Sequence, residues 1–531
     1  MLSVPGLGPP AARPGTDEPP SPGATPATGD AAAAAAIAET HSGVVFFLGD
    51  RAYKLKKRVA FGFLDFTTVE ARRRACQREV VLNRRLAPDV YLGVLDVVGP
   101  DGTPCDHLVA MRRLPAARRL STLVATGSDV DAELRRLARV MADFHSRAGR
   151  SREVDASSTG PALLERWDAT LREAMPLAGR VLERARLEHV ATLGRRYLAG
   201  RFELLAERIA GGRICDGHGD LLAEDVFCLD DGPRVLDCLE FDDQLRYGDV
   251  VADVAFCAMD LEHLGAPDAA AAFLAHYREL SGDTWPDSLA DFYVASRALV
   301  RATVKGLRAD QGEDGAADQA RRHLAQAESH LERGRVRLVV VGGAPGTGKS
   351  TVAAELADTL GAIVLRSDEL RKQRAGLDIV EPGPVGGEGG LYRSSVTDST
   401  YSQLLDEARS CLTRGLSVVL DATFRDPRWR ARARTVAATA VVDLDEVRCT
   451  APPGVVALRV ARRASEPGNV SDATDAVALQ LAASEPPWPS ATTLDTSRRP
   501  EEVVAVVRAI TTGTVVPRQL GGVVTASGAR S

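Results

Sequence analysis

An apolar run that ends in a glycine-rich loop constrains this chain more than any other feature. Residues 338–341 read Leu-Val-Val-Val, and Gly343 to Ser350 follow with the complete spacing G-x-x-x-x-G-K-S. In such a loop the glycines let backbone N–H groups close around phosphate oxygens, while Lys349 reaches the β/γ-phosphates and the Ser350 hydroxyl ligates Mg²⁺. The sequence therefore predicts a P-loop that binds a nucleoside triphosphate. Its predicted nucleotide-binding residues are Gly343, Ala344, Pro345, Gly346, Thr347, Gly348, Lys349, Ser350 and Thr351.

Length and composition set the class of protein. A chain of 531 residues predicts two or three domains at the usual size of roughly 150 residues each. No apolar run reaches the roughly 18 residues of a membrane span, and the N-terminus lacks the basic start of a signal peptide. The eight cysteines are dispersed with no C-x-x-C pair. We therefore expect a cytoplasmic protein without a membrane partner, disulfides or structural zinc.

Charge and lysine usage give two further indications. The net charge of −6 offers no overall attraction to nucleic acid, so a nucleic-acid partner is not expected. Only six of the 66 basic residues are Lys, and a chain that uses Arg nearly everywhere keeps Lys mainly where a compact ammonium is required. Lys349 lies in the P-loop, whereas Lys54, Lys56 and Lys57 form a cluster near the N-terminus that requires a separate explanation.

The first part of the chain reads as an α+β domain. Residues 1–35 are rich in Pro, Ala, Gly and Thr, and we expect them to be disordered. A β-hairpin is predicted at 44–57, a helix at about 69–86 and a short strand at 108–114. Helical patterns dominate from about 132 to 210. A β-rich start followed by a helical body is typical of the α+β class.

The second part reads as an α/β domain with a mainly parallel sheet, because strands alternate with helices. The predicted strands lie at 336–341, 362–366, 416–421, 441–449 and 492–495. We therefore predict a multidomain fold with an α+β domain at 36–330, a P-loop domain at 335–514 and a flexible tail at 515–531.

A second group of candidate catalytic residues lies in the first domain. His218-Gly219-Asp220 is followed five residues later by Asp225, and a further acidic stretch occupies 237–243. Clustered carboxylates suit a catalytic base and Mg²⁺ ligands. These residues resemble the aminoglycoside phosphotransferase family, whose fold is like that of protein kinases, and the resemblance spans roughly residues 37–310. In that family the motif H-G-D-x-x-x-x-N carries the catalytic Asp and a metal-binding Asn.

The resemblance implies that Asp220 is the catalytic base and that Asp225 takes the position of the metal-binding Asn. One of Asp237, Glu240 or Asp242 would be the second metal ligand. Glu240 is our choice, because Glu240-Phe241-Asp242 stands where the short metal-binding motif of the family is expected. Asp at 225 and Glu at 240 both depart from the residues of that family.

The lysine cluster gains a role within this resemblance. Lys54 and Lys56 share one face of their strand, because side chains alternate along a strand. One of them would bridge the α/β-phosphates of ATP while pairing with a helix glutamate. Glu79 is the predicted partner.

Several residues of the second domain also fit phosphoryl transfer. Asp368 follows a strand beside the P-loop, where a carboxylate can accept the proton of a substrate hydroxyl. Asp421 ends the strand at 416–421 and is predicted to hold Mg²⁺ together with Ser350. Three arginines on one helical face are predicted to form a positively charged lid. They are Arg459, Arg462 and Arg463.

These features resemble the small P-loop kinases that include polynucleotide kinase, gluconate kinase and zeta-toxin-like proteins, over about residues 336–512. The pattern Ser367-Asp368-x-x-Arg371 is the most specific, and it implies that Asp368 is the base and that Arg371 is a substrate or phosphate ligand. Leu494 to Ser497 matches a late strand and turn close to the nucleotide base.

The order of the two domains resembles the bacterial proteins described as bifunctional aminoglycoside phosphotransferase and ATP-binding proteins. The expected function is transfer of the γ-phosphate of ATP, with Mg²⁺, to a hydroxyl group of a small molecule. One alternative is a regulatory nucleotide-binding protein with a degenerate N-terminal sensor domain, and another is a nucleic-acid end kinase. The acceptor, the oligomeric state and the coupling between the domains stay open.

Overall fold

The structure, a computed structural model, describes residues 36–39, 43–61, 64–374, 394–464 and 486–511. The two segments predicted to be disordered or flexible, 1–35 and 515–531, lie outside these residues. Within the described residues the chain divides into two compact units. Unit 1 comprises the residues up to His189, Arg208–Thr284 and Tyr293–Ser329, and unit 2 comprises Val190–Glu207, Trp285–Phe292 and the residues from His330 onward.

The strands of unit 1 form one five-stranded antiparallel sheet and three short pairs. In chain order they are β1 Ala36–Glu39, β2 Gly43–Leu48, β3 Arg51–Lys56, β4 Ala60–Phe61, β5 Leu64–Asp65, β6 Tyr91–Val98, β7 Pro104–Arg112, β8 Ile214–Asp216, β9 Val226–Leu229, β10 Gly232–Val235 and β11 Tyr247–Asp249. The larger sheet has the order β1-β2-β3-β7-β6. The strand β6 was not predicted from the sequence, and it joins the predicted strand β7 at the edge of this sheet.

The helices that precede the second sheet are α1 Val69–Asn83, α2 Leu120–Ala125, α3 Asp131–Arg147, α4 Arg152–Ala156, α5 Gly160–Ala174, α6 Arg184–Ala199, α7 Phe202–Ala210, α8 Val250–His263, α9 Pro267–Ser281, α10 Asp287–Asp310 and α11 Ala316–Arg333. Short 3₁₀ helices lie at Ala116–Arg118, Met175–Leu177, Ala223–Asp225 and Asp243–Leu245. No helix of the described residues is long and apolar enough to cross a membrane.

The sheet and α1 of unit 1 enclose charged side chains as well as apolar ones. Burial alternates along β3, so that Ala52, Lys54 and Lys56 point inward, as the two-residue period of a strand requires. The helix α1 begins where the Thr68 hydroxyl accepts a hydrogen bond from a backbone N–H of its first turn. Its buried face carries Glu79, and the strand and the helix thereby bring two lysines and a glutamate into the same interior.

Unit 2 contains a second five-stranded sheet, and all of its strands are parallel. Its strands are β12 Arg337–Gly342, β13 Ile363–Arg366, β14 Val418–Asp421, β15 Asp443–Thr450 and β16 Thr492–Asp495, in the order β13-β14-β12-β15-β16. Its helices are α12 Lys349–Leu360, α13 Ser367–Arg374, α14 Ser394–Thr413, α15 Pro427–Thr439, α16 Pro453–Ala464 and α17 Pro500–Thr511. The predicted fold class, an α+β kinase-like domain followed by an α/β P-loop domain, is confirmed.

The register of this sheet explains why distant parts of the sequence meet. The central strand β12 is buried at every position, as expected for a parallel strand covered on both faces. Asp421, the last residue of β14, pairs in register with Val341 of β12 and with Arg366 of β13. Since the strands are parallel, the P-loop, the start of α13 and Asp421 all follow the same edge of the sheet.

Candidate functional site

Two lysines of β3 and one glutamate of α1 form a buried ionic group in unit 1. Lys54 Nζ lies 3.0 Å from Glu79 Oε1, and Lys56 Nζ lies 2.5 Å from Glu79 Oε2. Burial by itself would raise the pKa of Glu79, but the two ammonium groups outweigh it and lower that pKa. The structure therefore places the carboxylate of Glu79 between both lysines, where it orients them.

The same lysines bind the acidic stretch that follows β10. Lys54 Nζ lies 2.6 Å from Asp237 Oδ1, and Lys56 Nζ lies 2.5 Å from Glu240 Oε1. Burial disfavours the charge of Lys54, yet Asp237 and the two glutamates outweigh it and raise its pKa well above the ordinary value. The backbone of Asp237 is left-handed, with φ of 61°, a conformation that is uncommon outside glycine and recurrent at functional sites.

The loop His218-Gly219-Asp220 is held by a buried carboxylate that sequence reasoning missed. Asp253, near the start of α8, accepts hydrogen bonds from the backbone N–H groups of His218 and Gly219 at 2.5 and 2.8 Å. Its Oδ2 also lies 3.2 Å from Nε2 of His145. A sequence signal did exist, because Asp253 is an acid inside the otherwise apolar run Val-Val-Ala-Asp-Val-Ala-Phe. An acid in a fully buried helix requires partners.

Asp220, the predicted base, is the last residue of this loop. Burial raises the pKa of its carboxyl to about 6, Asp237 and Glu224 act in the same direction, and Arg301 and Arg297 oppose them. A carboxyl that titrates close to neutral pH suits proton transfer from a hydroxyl group.

The carboxylates beside Asp220 can be tested for a fit to Mg²⁺. Burial raises the pKa of Asp225 well above its ordinary value, and the nearby charges of Asp237, Glu224 and Asp220 add to the effect. This crowding of negative charge is what a bound cation relieves. Among the described residues no three acidic, His or Cys side chains are close enough to hold a metal ion on their own. Mg²⁺ in kinases takes one or two carboxylates and completes its shell with phosphate oxygens and water, so Asp225 and Asp237 fit it.

Our choice of Glu240 as the second metal ligand stays a prediction. Glu240 pairs with Lys56 just as Asp237 pairs with Lys54, and of these two acids Asp237 acts more strongly on Asp225. Asp242 instead accepts a hydrogen bond from the backbone N–H of Gln244 at 2.9 Å. We favour Asp237 as the ligand, because its charge acts on both Asp225 and Asp220. No sequence pattern indicated the left-handed backbone at this residue.

The P-loop of unit 2 is folded tightly on itself. Lys349 Nζ donates to the Ala344 carbonyl at 2.9 Å, and the Thr347 hydroxyl donates to the same oxygen at 2.7 Å. A Cβ atom at Gly343 would lie 2.3 Å from the carbonyl oxygen of Cys449, so only glycine fits there. Gly346 has φ of 81°, which also favours glycine. The glycines of the motif are therefore required by backbone geometry.

The acids predicted around the P-loop lie close to it. Burial raises the pKa of Asp421, while the charge of Lys349 and a hydrogen bond from Ser350 act against that rise, and Asp368 adds to it. The structure thus brings Ser350 and Asp421 together as oxygen donors that fit Mg²⁺. Asp368 is paired with Arg371, whose Nη1 donates to Asp368 Oδ1 at 2.6 Å.

The three predicted lid arginines differ in placement. Arg459 donates to the Thr496 hydroxyl at 2.9 Å and to the Thr496 carbonyl at 2.8 Å. The Thr496 hydroxyl in turn donates to the Thr347 carbonyl at 2.7 Å, so Arg459 is tied to the P-loop. Arg462 is exposed, and the side chain of Arg463 lies outside the described residues.

Two protein-family models match different parts of this chain. The model of the phosphotransferase enzyme family matches residues 44–292, and the model of an AAA domain matches residues 338–487. Uncharacterized protein Rv2004c of Mycobacterium tuberculosis (strain ATCC 25618 / H37Rv) and uncharacterized protein Mb2027c of Mycobacterium bovis are each 43% identical over 463 residues. These alignments cover 87% of this chain and 92% of each relative.

Two solved structures are more distant. A choline/ethanolamine kinase family protein from Mesorhizobium loti is 16% identical, with coverage of 57% of this chain and 90% of its own and a TM-score of 0.37. The Mycobacterium tuberculosis APS kinase CysC, in complex with AMPPNP and APS, is 24% identical, with coverage of 33% and 97% and a TM-score of 0.25.

Proposed function

We propose, because this chain belongs to the family that joins a phosphotransferase domain to a P-loop AAA domain, that unit 1 is an ATP- and Mg²⁺-dependent kinase. Its acceptor is a hydroxyl group of a small molecule. The observation that carries the proposal is the loop ending at Asp220, which the buried Asp253 fixes through hydrogen bonds from two backbone N–H groups. The raised pKa of the partly buried Asp220 carboxyl, about 6, agrees with the role of a base. The charges of Asp237, Glu224, Arg297 and Arg301 act on it.

Each residue of this group has one task. Asp220 accepts the proton of the acceptor hydroxyl group as the oxygen of that group attacks the γ-phosphorus of ATP. The bond from the γ-phosphorus to the β,γ-bridging oxygen breaks, and ADP leaves. Lys54 keeps its positive charge and is oriented by Glu79 toward the side where the phosphates bind. Mg²⁺, when bound, neutralises charge on the phosphates, and Asp225 and Asp237 are the residues that would hold it. Asp253 keeps Asp220 in place through the backbone of the preceding loop.

Unit 2 is proposed to bind a second ATP and to act as a P-loop kinase. Lys349 and the backbone of its loop bind the phosphates, and Ser350 and Asp421 are the residues that would hold Mg²⁺. Asp368 accepts the acceptor proton, and Arg371, which donates a hydrogen bond to that carboxylate, orients it.

The experiment must separate the two sites. In the full chain, Lys349→Ala first silences the P-loop, and ATP consumption is measured with sugars, aminoglycosides, nucleosides and oligonucleotides. Adding Asp220→Ala should lower the remaining stimulated turnover by roughly 10²–10⁴-fold, the usual contribution of a general base. Asp230→Ala, an exposed carboxylate of the same unit, is the matched control and should leave turnover unchanged.

Two outcomes would contradict the proposal. Turnover that persists unchanged in Asp220→Ala removes Asp220 from the reaction. Absence of stimulated turnover across the whole panel, with nucleotide still bound to unit 1, favours the regulatory alternative. Turnover with oligonucleotides alone, weakened by added salt, would instead indicate an end kinase.

A further inference from the structure

The helix α10 carries a row of basic residues toward the Asp220 side of unit 1. Arg297, Arg301 and Lys305 recur every fourth residue, so they share one face of the helix. Arg301 and Arg297 are the two cations whose charges act most strongly on the Asp220 carboxyl. The charge of Arg301 also reaches Asp260 of α8.

Packing fixes one of these arginines next to the helix that holds the catalytic loop. The guanidinium carbon of Arg297 lies 4.9 Å from the centroid of the Phe256 ring, and its Nε lies 3.4 Å from the Ala252 carbonyl oxygen. Both contacts are with α8, one on each side of Asp253. Arg297 therefore stands where its charge faces Asp253 and Asp220 together.

A third arginine, Arg166 of α5, lies close enough to Arg297 for the two charges to repel each other. Burial lowers the pKa of Arg166, and the charge of Arg297 lowers it further. Its Nη2 lies 3.3 Å from the Gln244 carbonyl oxygen. The helices α5 and α10 thus bring arginines together in unit 1.

These half-buried arginines lack the carboxylate ion pairs that the buried arginines of unit 1 have. Arg208, for example, forms ion pairs with Asp249 and Asp283 at 2.7 and 2.8 Å. Within the described part of the chain, Arg166, Arg297 and Arg301 form no ion pair with a carboxylate. Crowded and partly buried cations of this kind are costly, and an anion that binds among them removes the cost.

We propose that the acceptor of unit 1 carries an oxyanion, a phosphate or a carboxylate, which Arg297 and Arg301 bind while its hydroxyl group lies at Asp220. This inference rests on the proposed role of Asp220 as the base. The planar guanidinium group matches the two oxygens of such a group. The same charges repel polycations, so an aminoglycoside would be a poor acceptor of this enzyme.

The test uses the full chain with Lys349→Ala and Mg²⁺-AMPPNP present, so that the phosphate site of unit 1 is filled. The probes are glycerol, glycerate, glycerol 3-phosphate and serinol, which share a hydroxylated carbon chain and differ in charge. Kanamycin is the polycationic probe. Binding is measured by saturation-transfer NMR, and the melting temperature of each variant is recorded to show that it is folded.

We expect glycerate or glycerol 3-phosphate to bind more tightly than glycerol, serinol and kanamycin, and the stronger of the two identifies the oxyanion. Arg301→Gln should weaken that binding by about tenfold to a hundredfold, as expected for lost charged hydrogen bonds. Arg301→Lys keeps the positive charge but loses the planar pair of N–H donors. Its affinity for the anionic probe should therefore lie between those of the wild type and Arg301→Gln. Arg308→Gln, on the same helix but near Glu313, should change nothing.

Four results would overturn the inference. The first three are equal or absent binding of the anionic and neutral probes, tighter binding of serinol or kanamycin, and an equal loss in the Arg308 control. If Arg301→Gln weakens Mg²⁺-AMPPNP and not the anionic probe, the arginines bind the nucleotide and the inference is also wrong. A failure of the proposed kinase function gives a different result. Stimulated turnover would then not respond to Asp220→Ala, whereas the anionic probe would still bind more tightly than the neutral ones.

Discussion

Replacing Asp253 by Asn tests whether the catalytic loop depends on a carboxylate that takes no part in the chemistry. The wild-type carboxylate accepts from two buried backbone N–H groups, those of His218 and Gly219, and also contacts His145. Hydrogen bonds to a charged group contribute about 1.5–3 kcal/mol each. The Asn side chain keeps one acceptor and turns an NH₂ group toward the other donor, so one such bond is lost and one buried N–H is left unpaired.

We therefore expect Asp253→Asn to destabilise unit 1 by about 2–4 kcal/mol. The midpoint of its thermal transition should fall by roughly 4–16 °C, at about 2–4 °C per kcal/mol for a domain of this size. Stimulated turnover in the Lys349→Ala background should fall as well, because Asp220 loses its fixed position. Calorimetry and the ATP-consumption assay measure the two effects, and Asp268→Asn at the exposed start of α9 is the control.

The pH dependence gives an independent check. Burial alone would raise the pKa of Asp253, but the hydrogen bond and charge of His145 and the groups of His218 lower it well below the ordinary value. A depressed carboxyl pKa means that its stabilisation is fully present at neutral pH and is lost as pH falls through the folded-state pKa. The Asn variant should lack this acid-dependent part. Unchanged melting and unchanged turnover in Asp253→Asn would refute the role assigned to this residue.

Four further predictions address single residues. Lys349→Ala should abolish ATP binding at the P-loop in isothermal titration, because the phosphate charge is left uncompensated; retained affinity there would contradict the assignment. Asp368→Asn should keep nucleotide binding at unit 2 but slow transfer by roughly 10²–10⁴-fold, measured on its acceptor once that is known. Asp237→Asn should raise the Mg²⁺ concentration required by unit 1, whereas Glu240→Gln should not, and the reverse order would restore Glu240 as the ligand. The kcat/KM of unit 1 should fall as pH drops below about 6, because Asp220 must be ionised to accept a proton. The range from pH 5 to pH 7 extends roughly one unit to each side of this pKa. A flat profile over that range would count against Asp220 as the base.

Sequence patterns determined what is local along the chain. The P-loop was predicted from one run of fourteen residues, because backbone geometry at positions such as Gly343 admits only glycine. The alternation that puts Lys54 and Lys56 on one face of β3 follows from the period of a strand. The parallel order of unit 2 followed from alternating strands and helices, since a parallel pair requires a crossover connection. These predictions needed no knowledge of distant contacts.

The tertiary structure decided which distant residues share a site. An acid in an apolar run marks Asp253 as a residue that requires partners, but only the fold shows which ones, because they are backbone groups more than thirty positions away. The preference for Asp237 over Glu240 depended on the fold, in which Asp237 pairs with Lys54 and acts on Asp225 while Glu240 pairs with Lys56. Arg301 has no motif of its own, and only the folding of α10 against α8 brings its charge to Asp220. The interaction between two charges depends on their distance in space, so the electrostatics of this site depend on the tertiary structure. The phosphate-binding loop is formed by consecutive residues and can therefore be recognised in the sequence.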